Sequence, residues 1–157
     1  MPNEALETYL NDHLAGSVSA IQLLERAVEE HRNTPLGPPL ADLLAAIRED
    51  QELLRGLISR LGYSEHSVKQ AGAWLAEKVG RIKTGASHQS PLARLELFEA
   101  LSLGIHGRLK LWRALRAVLP SHPQLQELDF PRLDRMAQEQ HDMVEAWRIE
   151  AAEAALA

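Results

Sequence analysis

The stretch Pro91–Leu119 is the longest uninterrupted helical pattern in the chain. Its large apolar side chains recur at spacings of three and four, which places them on one face of an α-helix. These side chains are Phe98, Leu101, Ile105, Trp112, Leu115 and Leu119. A helix of this length would be roughly 43 Å long. A rod of that size buries its apolar face only against other long helices, so the pattern predicts a helical bundle.

Three further stretches show the same periodicity and predict helices at about 3–32, 40–61 and 130–154. A shorter helix is predicted at about 65–83, and a short helical lead-in at 124–129. Strand-like alternation of polar and apolar residues is nearly absent. The fold class is therefore all-α, as a single domain over residues 1–157.

The expected helix ends carry typical sequence signals. Asn3 is a candidate N-cap, and Ser90 followed by Pro91 is a strong start signal. Three prolines and a glycine within residues 33–39 are expected to end the first helix. Gly62 is expected to close the second helix in a left-handed conformation. Residues 63–90 are too many for a tight hairpin and suit a crossover along the bundle, which leaves two antiparallel helix pairs.

Composition and charge exclude several classes of protein. The chain has no cysteine, so disulfides and thiolate metal sites are impossible. A net charge of −5 argues against nucleic acid and membrane surfaces as default partners. No apolar run approaches the ~20 residues that span a bilayer. The first residues are acidic where a signal peptide would be basic, so we expect a cytoplasmic protein.

Short strings in three of the helices resemble bacterioferritin-type proteins of the ferritin-like superfamily. Leu10–Ile21 resembles the first helix, where a leucine–asparagine pair precedes a metal-binding glutamate. Leu101–Gly107 resembles the third helix, and Gln138–His141 resembles the Glu-x-x-His of the last helix. The resemblance implies a ferritin-like four-helix bundle with a helix-containing crossover between its second and third long helices.

The resemblance also implies where a dinuclear iron or manganese site would lie, and this chain lacks most of the ligands. The glutamates of the first and third helices are matched by Ser17 and Gly104, and that of the last helix by Gln138. The Glu-x-x-His of the second helix is matched by Ala46 and Glu49. Of six positions, only His141 matches clearly. We therefore expect no metal and no cofactor.

Alternative metal sites use other residues. A shifted register makes Glu49 and Glu52 a substitute pair, and with Glu139 and His141 these are the fallback ligands for iron or manganese. A mononuclear imidazole site could use His13, His106 and His141. The simpler interpretation is that the carboxylates form solvated helix faces and the histidines are hydrogen-bonded at the edge of the core.

Small residues cluster at the level where the family holds its metals. Gly16, Ser17 and Gly104 lie there, with Gly107 one turn further. A glycine inside a helix costs ~1 kcal/mol relative to alanine, so helix propensity does not explain them. The interpretation we favour is close helix approach, with Trp112, Trp147 or Met143 filling the space. The alternative is a cavity for a small apolar ligand, with Gly16, Ser17, Gly104 and Gln138 as lining candidates.

Two polar residues, Asp50 and Gln51, interrupt the apolar face of the second helix. One of them is expected to be partly buried and bonded to another helix, with Ser17 or Gln138 as its partner. No hydrolytic arrangement stands out, because the candidate serines lie within helices.

Three hypotheses for function follow. The first is a metal-free bundle that acts as a binding or structural module, self-associates as a homodimer and is not an enzyme. The second is a carboxylate-bridged iron or manganese oxidase, or an iron-handling protein. The third is a carrier of a small apolar ligand.

Overall fold

The computed structural model describes residues 3–66 and 90–157, and all regular secondary structure there is helical. The long helices in these ranges are α1 (Glu4–Glu30), α2 (Gly37–Arg60), α3 (Pro91–Val118) and α4 (Phe130–Leu156). The predicted all-α class is confirmed. None of the helices described is long and apolar enough to cross a membrane. Most of the predicted helix at 65–83 lies outside the described residues, and residues 65 and 66 are not helical.

The predicted helix-end signals act as expected. Asn3 and Ser90 each accept a backbone N–H from three residues ahead, both at 3.1 Å, at the starts of α1 and α3. Gly62 follows α2 with φ +74°, a conformation that glycine adopts without strain. The predicted lead-in before α4 is present as a 3₁₀ helix at Pro123–Glu127. Local sequence chemistry therefore sets these helix boundaries.

The start of α2 differs from the sequence prediction. The helix begins at Gly37 rather than Leu40, so Pro38 and Pro39 lie inside its first turn. Proline is tolerated there because the first backbone N–H groups of a helix have no acceptor within it. The expectation that 33–39 contains no helix is wrong for its last three residues.

The four helices pack as two antiparallel pairs, α1 with α2 and α3 with α4. In each pair, residues later in one helix contact residues earlier in the other, which is the pattern of antiparallel helices. These contacts are Ser17–Gln51 and Glu25–Arg48 in the first pair, and Ser102–Glu145 and Arg113–Asp134 in the second. Helix α1 also packs against α3, which joins the two pairs.

The apolar core divides into two clusters along the bundle. The first contains Leu23, Leu24, Leu43, Ile47, Phe98, Leu101 and Val144, among others. The second contains Leu10, Leu14, Leu54, Leu57, Trp112, Leu115 and Phe130, among others. Between them, α1, α2 and α3 carry small or polar residues, which we call the middle layer: Gly16, Ser17, Asp50, Gln51 and Arg108. The two clusters share no residue, so the middle layer separates them.

The first prediction concerns Gly37, which is buried at the start of α2. A Cβ at this position would lie 2.6 Å from the carbonyl oxygen of His31, closer than real contacts allow. We expect Gly37→Ala to lower the free energy of unfolding by about 1–3 kcal/mol, measured by urea denaturation.

Gly56 supplies the matched control in the same helix. A Cβ there would meet only the end of the Arg60 side chain, at 3.1 Å, and that side chain can move. Gly56→Ala should therefore stabilise the protein by up to about 1 kcal/mol through helix propensity. Equal effects at both positions would contradict the steric explanation.

Candidate functional site

A cavity of about 180 Å³ lies between α1, α2 and α3 at the level of the middle layer. Its walls include apolar side chains from both core clusters: Ile47, Leu54, Leu101, Ile105, Leu111 and Trp112. Gly104 in its lining is exposed, so the cavity opens to solvent. An apolar cavity of roughly this volume can accept a molecule such as benzene. The volume therefore suits a ligand of about one six-membered ring.

Glycines form part of the cavity lining. At Gly16, Gly104 and Gly107, an added Cβ would meet no atom within 4 Å. None of the three has a positive φ, so the backbone does not require glycine either. The favoured prediction of close helix packing is therefore wrong for these residues. Large neighbouring side chains do not occupy the space beside them.

A hydrogen bond between α1 and α2 lies in the cavity wall. Gln51 Nε2 donates to Ser17 Oγ at 2.8 Å, and Ser17 Oγ donates in turn to the carbonyl oxygen of Leu14 at 2.7 Å. Gln51 is only 9% exposed. The prediction that one of the two polar residues of α2 is partly buried and bonded to Ser17 is confirmed. The Gln51 amide oxygen has no partner among the described residues.

An ion pair between α2 and α3 lies beside this hydrogen bond. Arg108 Nε lies 2.9 Å from Asp50 Oδ2, and the two side chains are only 12% and 13% exposed. The Nε–H is not aligned for a hydrogen bond. Arg108 Nη2 also donates to Gln140 Oε1 on α4. Arg108 therefore links three of the four helices at the level of the cavity.

Burial dominates the electrostatics of this pair. Desolvation raises the pKa of the Asp50 carboxyl, and the opposing attraction of Arg108 is the smaller effect. Desolvation likewise lowers the pKa of Arg108, although Asp50 acts to raise it. For both groups, the attraction between the two charges offsets only part of the cost of burying them. Each partner depends strongly on the other.

Three of the four residues predicted to line a ligand cavity do so. Gly16, Ser17 and Gly104 line the cavity, but Gln138 does not. Gln138 Nε2 instead bonds to Asp142 Oδ1 at 2.9 Å along α4. The register of α4 therefore directs Gln138 away from α1 and α2.

His141 belongs to a separate network between α3 and α4. Ser102 Oγ donates to Glu145 Oε2 at 3.1 Å and lies 3.3 Å from His141 Nε2. The His141 and His106 rings have their centroids 5.2 Å apart. Hydrogen bonds, first from Arg148 and then from Ser102, lower the pKa of Glu145 to about 2 against the effect of burial.

This network suits helix pairing better than catalysis. Ser102 is 6% exposed and lies in the middle of α3, so a substrate cannot approach its hydroxyl. Its proton is directed to Glu145 rather than to His141. The Ser–His contact therefore lacks the exposed nucleophile that acyl transfer requires.

The fallback metal ligands are not brought together. Glu49, Glu52 and Glu139 are exposed, and Glu52 pairs with Arg55 at 3.2 Å. Within residues 3–66 and 90–157, no group of three or more His, Cys, Asp or Glu side chains could hold a metal ion. Ser17 and Gly104, at the family's ligand positions, line the apolar cavity instead. These residues do not fit a dinuclear metal centre.

Sequence reasoning missed the role of Arg108. The sequence pattern assigns no role to this residue, whereas the structure buries it against Asp50. A signal was present, because Arg108 lies four residues after Gly104 and therefore on the same face of α3. His13 also lines the cavity, and burial lowers its pKa.

In comparisons with known proteins, no family model, curated protein or solved structure matches the chain.

The second prediction tests the ion pair. Arg108→Met leaves the Asp50 carboxylate buried without its counter-charge, so we expect a loss of about 3 kcal/mol in the free energy of unfolding. The folded-state pKa of Asp50, already raised, should rise further. Stability should therefore fall as pH increases from about 4 to 7, because the ionised form is the destabilised one.

The double variant Asp50→Asn/Arg108→Met is the control, because it removes the titrating group. It should recover part of the loss, and the difference in stability between Arg108→Met and this double variant should grow from pH 4 to pH 7. Urea denaturation at several pH values measures the free energy of unfolding of the single and the double variant. If the stability lost in Arg108→Met does not change with pH, the destabilisation does not come from the ionised Asp50 carboxylate.

Proposed function

We propose that the protein is a binding module for a small, mostly apolar molecule that carries one hydroxyl group. The ligand would occupy the cavity between α1, α2 and α3. The observation that carries this proposal is the open volume beside Gly16, Gly104 and Gly107, which no side chain of the described residues fills.

Energetics support a ligand in this volume. Each glycine within a helix costs about 1 kcal/mol relative to alanine, and neither packing nor backbone conformation offsets the cost here. The space opens to solvent at Gly104, which is exposed, so the apolar lining contacts water. A small apolar guest would bury that lining. The presence of glycine at these three positions is therefore explained better by a bound ligand than by helix stability or packing.

Gln51 supplies the polar specificity. Its amide nitrogen is bonded to Ser17, and its oxygen remains available as an acceptor. A ligand hydroxyl can donate to that oxygen while its apolar body contacts Leu54, Ile105 and Trp112. Few polar groups in a mostly apolar wall are typical of sites that orient small ligands.

We further infer a ferritin-like topology. The second core cluster joins the start of α1 to the ends of α2 and α3, and the first cluster joins the end of α1 to the starts of α2 and α3. Helices α2 and α3 therefore run in the same direction. This arrangement supports a crossover along the bundle length between them, as in ferritin-like folds.

The third prediction tests the ligand with an isosteric pair of probes. We expect phenol to bind more tightly than toluene, because only phenol can donate a hydrogen bond to Gln51. Binding should shift the indole N–H signal of Trp112 in two-dimensional NMR, since Trp112 lines the cavity. Gln51→Leu should remove the preference for phenol and retain toluene binding.

Two substitutions at Gly104 separate cavity filling from helix propensity. Gly104→Ala should stabilise the fold and leave room for the probe, because its Cβ meets nothing within 4 Å. Gly104→Leu should also stabilise the fold but abolish binding of both probes. Absence of binding in the parent protein, or unchanged binding in Gly104→Leu, would overturn the proposal.

The fourth prediction concerns self-association, which we propose because large apolar side chains are exposed on the bundle surface. Leu92 and Leu103 of α3 are 53% and 50% exposed, and Leu53 of α2 is 40% exposed. Sedimentation velocity at micromolar concentration should show a dimer. A monomer alone would contradict this prediction. A dimer dissociated by Gly104→Leu but not by Gly104→Ala would indicate that a second copy, rather than a small ligand, covers the glycines.

A further inference from the structure

A second concave site lies at one end of the bundle, away from the middle layer. This end cleft, of about 620 Å³, is bounded by the α1–α2 turn, the start of α3 and the end of α4. Its apolar walls include Phe98 and Trp147, whose rings lie 5.6 Å apart and tilted by 47°, together with three prolines. Prolines have no backbone N–H and few conformations, so these walls are rigid and poor in donors.

Two polar side chains of the end cleft each have a buried nitrogen without a hydrogen-bond partner among the described residues. His31 is 2% exposed, and its Nε2 has no hydrogen-bond partner within residues 3–66 and 90–157. Arg94 Nε is likewise buried and unpartnered, and within the described part of the chain no carboxylate pairs with this guanidinium. Buried polar groups are normally satisfied, so two such groups beside one cleft need a physical explanation.

The His31 ring is fixed from its other side. Thr34 Oγ1 donates to the His31 carbonyl oxygen at 2.9 Å and lies 3.5 Å from Nδ1. The hydroxyl proton is therefore committed to the backbone, and Nδ1 is the nitrogen that faces Thr34. Nε2 is the nitrogen left over for another partner.

We propose that the end cleft binds a small carboxylate with an apolar body, with the Arg94 guanidinium as its positive anchor and His31 as its second polar partner. The carboxylate would offset the charge of Arg94 through a charge-assisted hydrogen bond. Its body would lie against Phe98 and Trp147. This site is separate from the central cavity and does not depend on the function proposed there.

Binding in the end cleft should be coupled to a proton. In the free protein, burial first and the charge of Arg94 second lower the pKa of His31, and Glu30 of α1 opposes them. A carboxylate beside Arg94 would cancel that repulsion and accept a hydrogen bond from a protonated Nε2. The pKa of His31 should therefore rise on binding. From α4, Glu150 also lines the cleft, and its negative charge acts against the anion.

The fifth prediction compares phenylacetate with phenylacetamide, a neutral molecule of the same shape. We expect phenylacetate to bind at least tenfold more tightly and to shift the indole N–H signal of Trp147 rather than that of Trp112. Its affinity should increase several-fold between pH 8 and pH 5.5, because ligand binding takes up a proton at His31. The amide should show no such pH dependence.

Three variants make the test specific. Arg94→Gln should abolish the preference for the carboxylate, and Glu150→Gln should preserve or strengthen it. Gly104→Leu, which fills the central cavity, should leave phenylacetate binding unchanged, so the two sites succeed or fail independently. Equal binding of acid and amide, or no shift at Trp147 at millimolar phenylacetate, would each overturn the proposal. Circular dichroism of each variant verifies that the fold is retained.

Discussion

Burial of apolar helix faces in two separate clusters is the interaction on which this structure depends. Each cluster contains apolar side chains from all four helices. Between the clusters, three helices carry glycine, serine, glutamine, aspartate and arginine instead. The bundle is therefore held at its two ends, and its middle can carry groups that a continuous core would reject. Both the cavity and the buried ion pair lie at this level.

The middle layer combines weak packing with strong polar constraints. The Asp50–Arg108 pair and the Ser17–Gln51 bond join helices whose side chains otherwise leave space between them. Buried polar contacts of this kind contribute little net stability, because desolvation offsets much of the attraction. They do specify geometry, since a shifted register would leave a charge or an amide without its partner. Such contacts can keep a cavity open at a defined shape.

Much of the fold was predictable from the sequence because its signals are local. Asn3, Ser90 and Gly62 act within one helical turn, and the apolar spacing of α3 needs no knowledge of its neighbours. The start of α2 was misplaced because two prolines were treated as breakers, although the first helical turn accepts them. The packing around Gly104 could not be predicted, because it depends on how far apart α1 and α3 lie. Helix spacing is a tertiary property that periodicity does not encode.

In the candidate sites too, local features were predictable from the sequence and tertiary ones were not. The burial of Gln51 against Ser17 was predictable, since a polar residue in an apolar face needs a partner. The unsatisfied atoms of His31 and Arg94 were not, because these residues are far apart in sequence and meet only where three helix ends converge. In the sequence, His31 falls near the end of the predicted first helix and belongs to no motif. Only the arrangement in space shows that its ring is enclosed.

The separation of the two core clusters has a consequence for motion. No side chain belongs to both, so loosening one end of the bundle need not disrupt the packing at the other. The helices can therefore move apart at one end of the bundle while the packing at the opposite end is retained. The central cavity, which already opens to solvent beside the exposed Gly104, would then change its width without global unfolding.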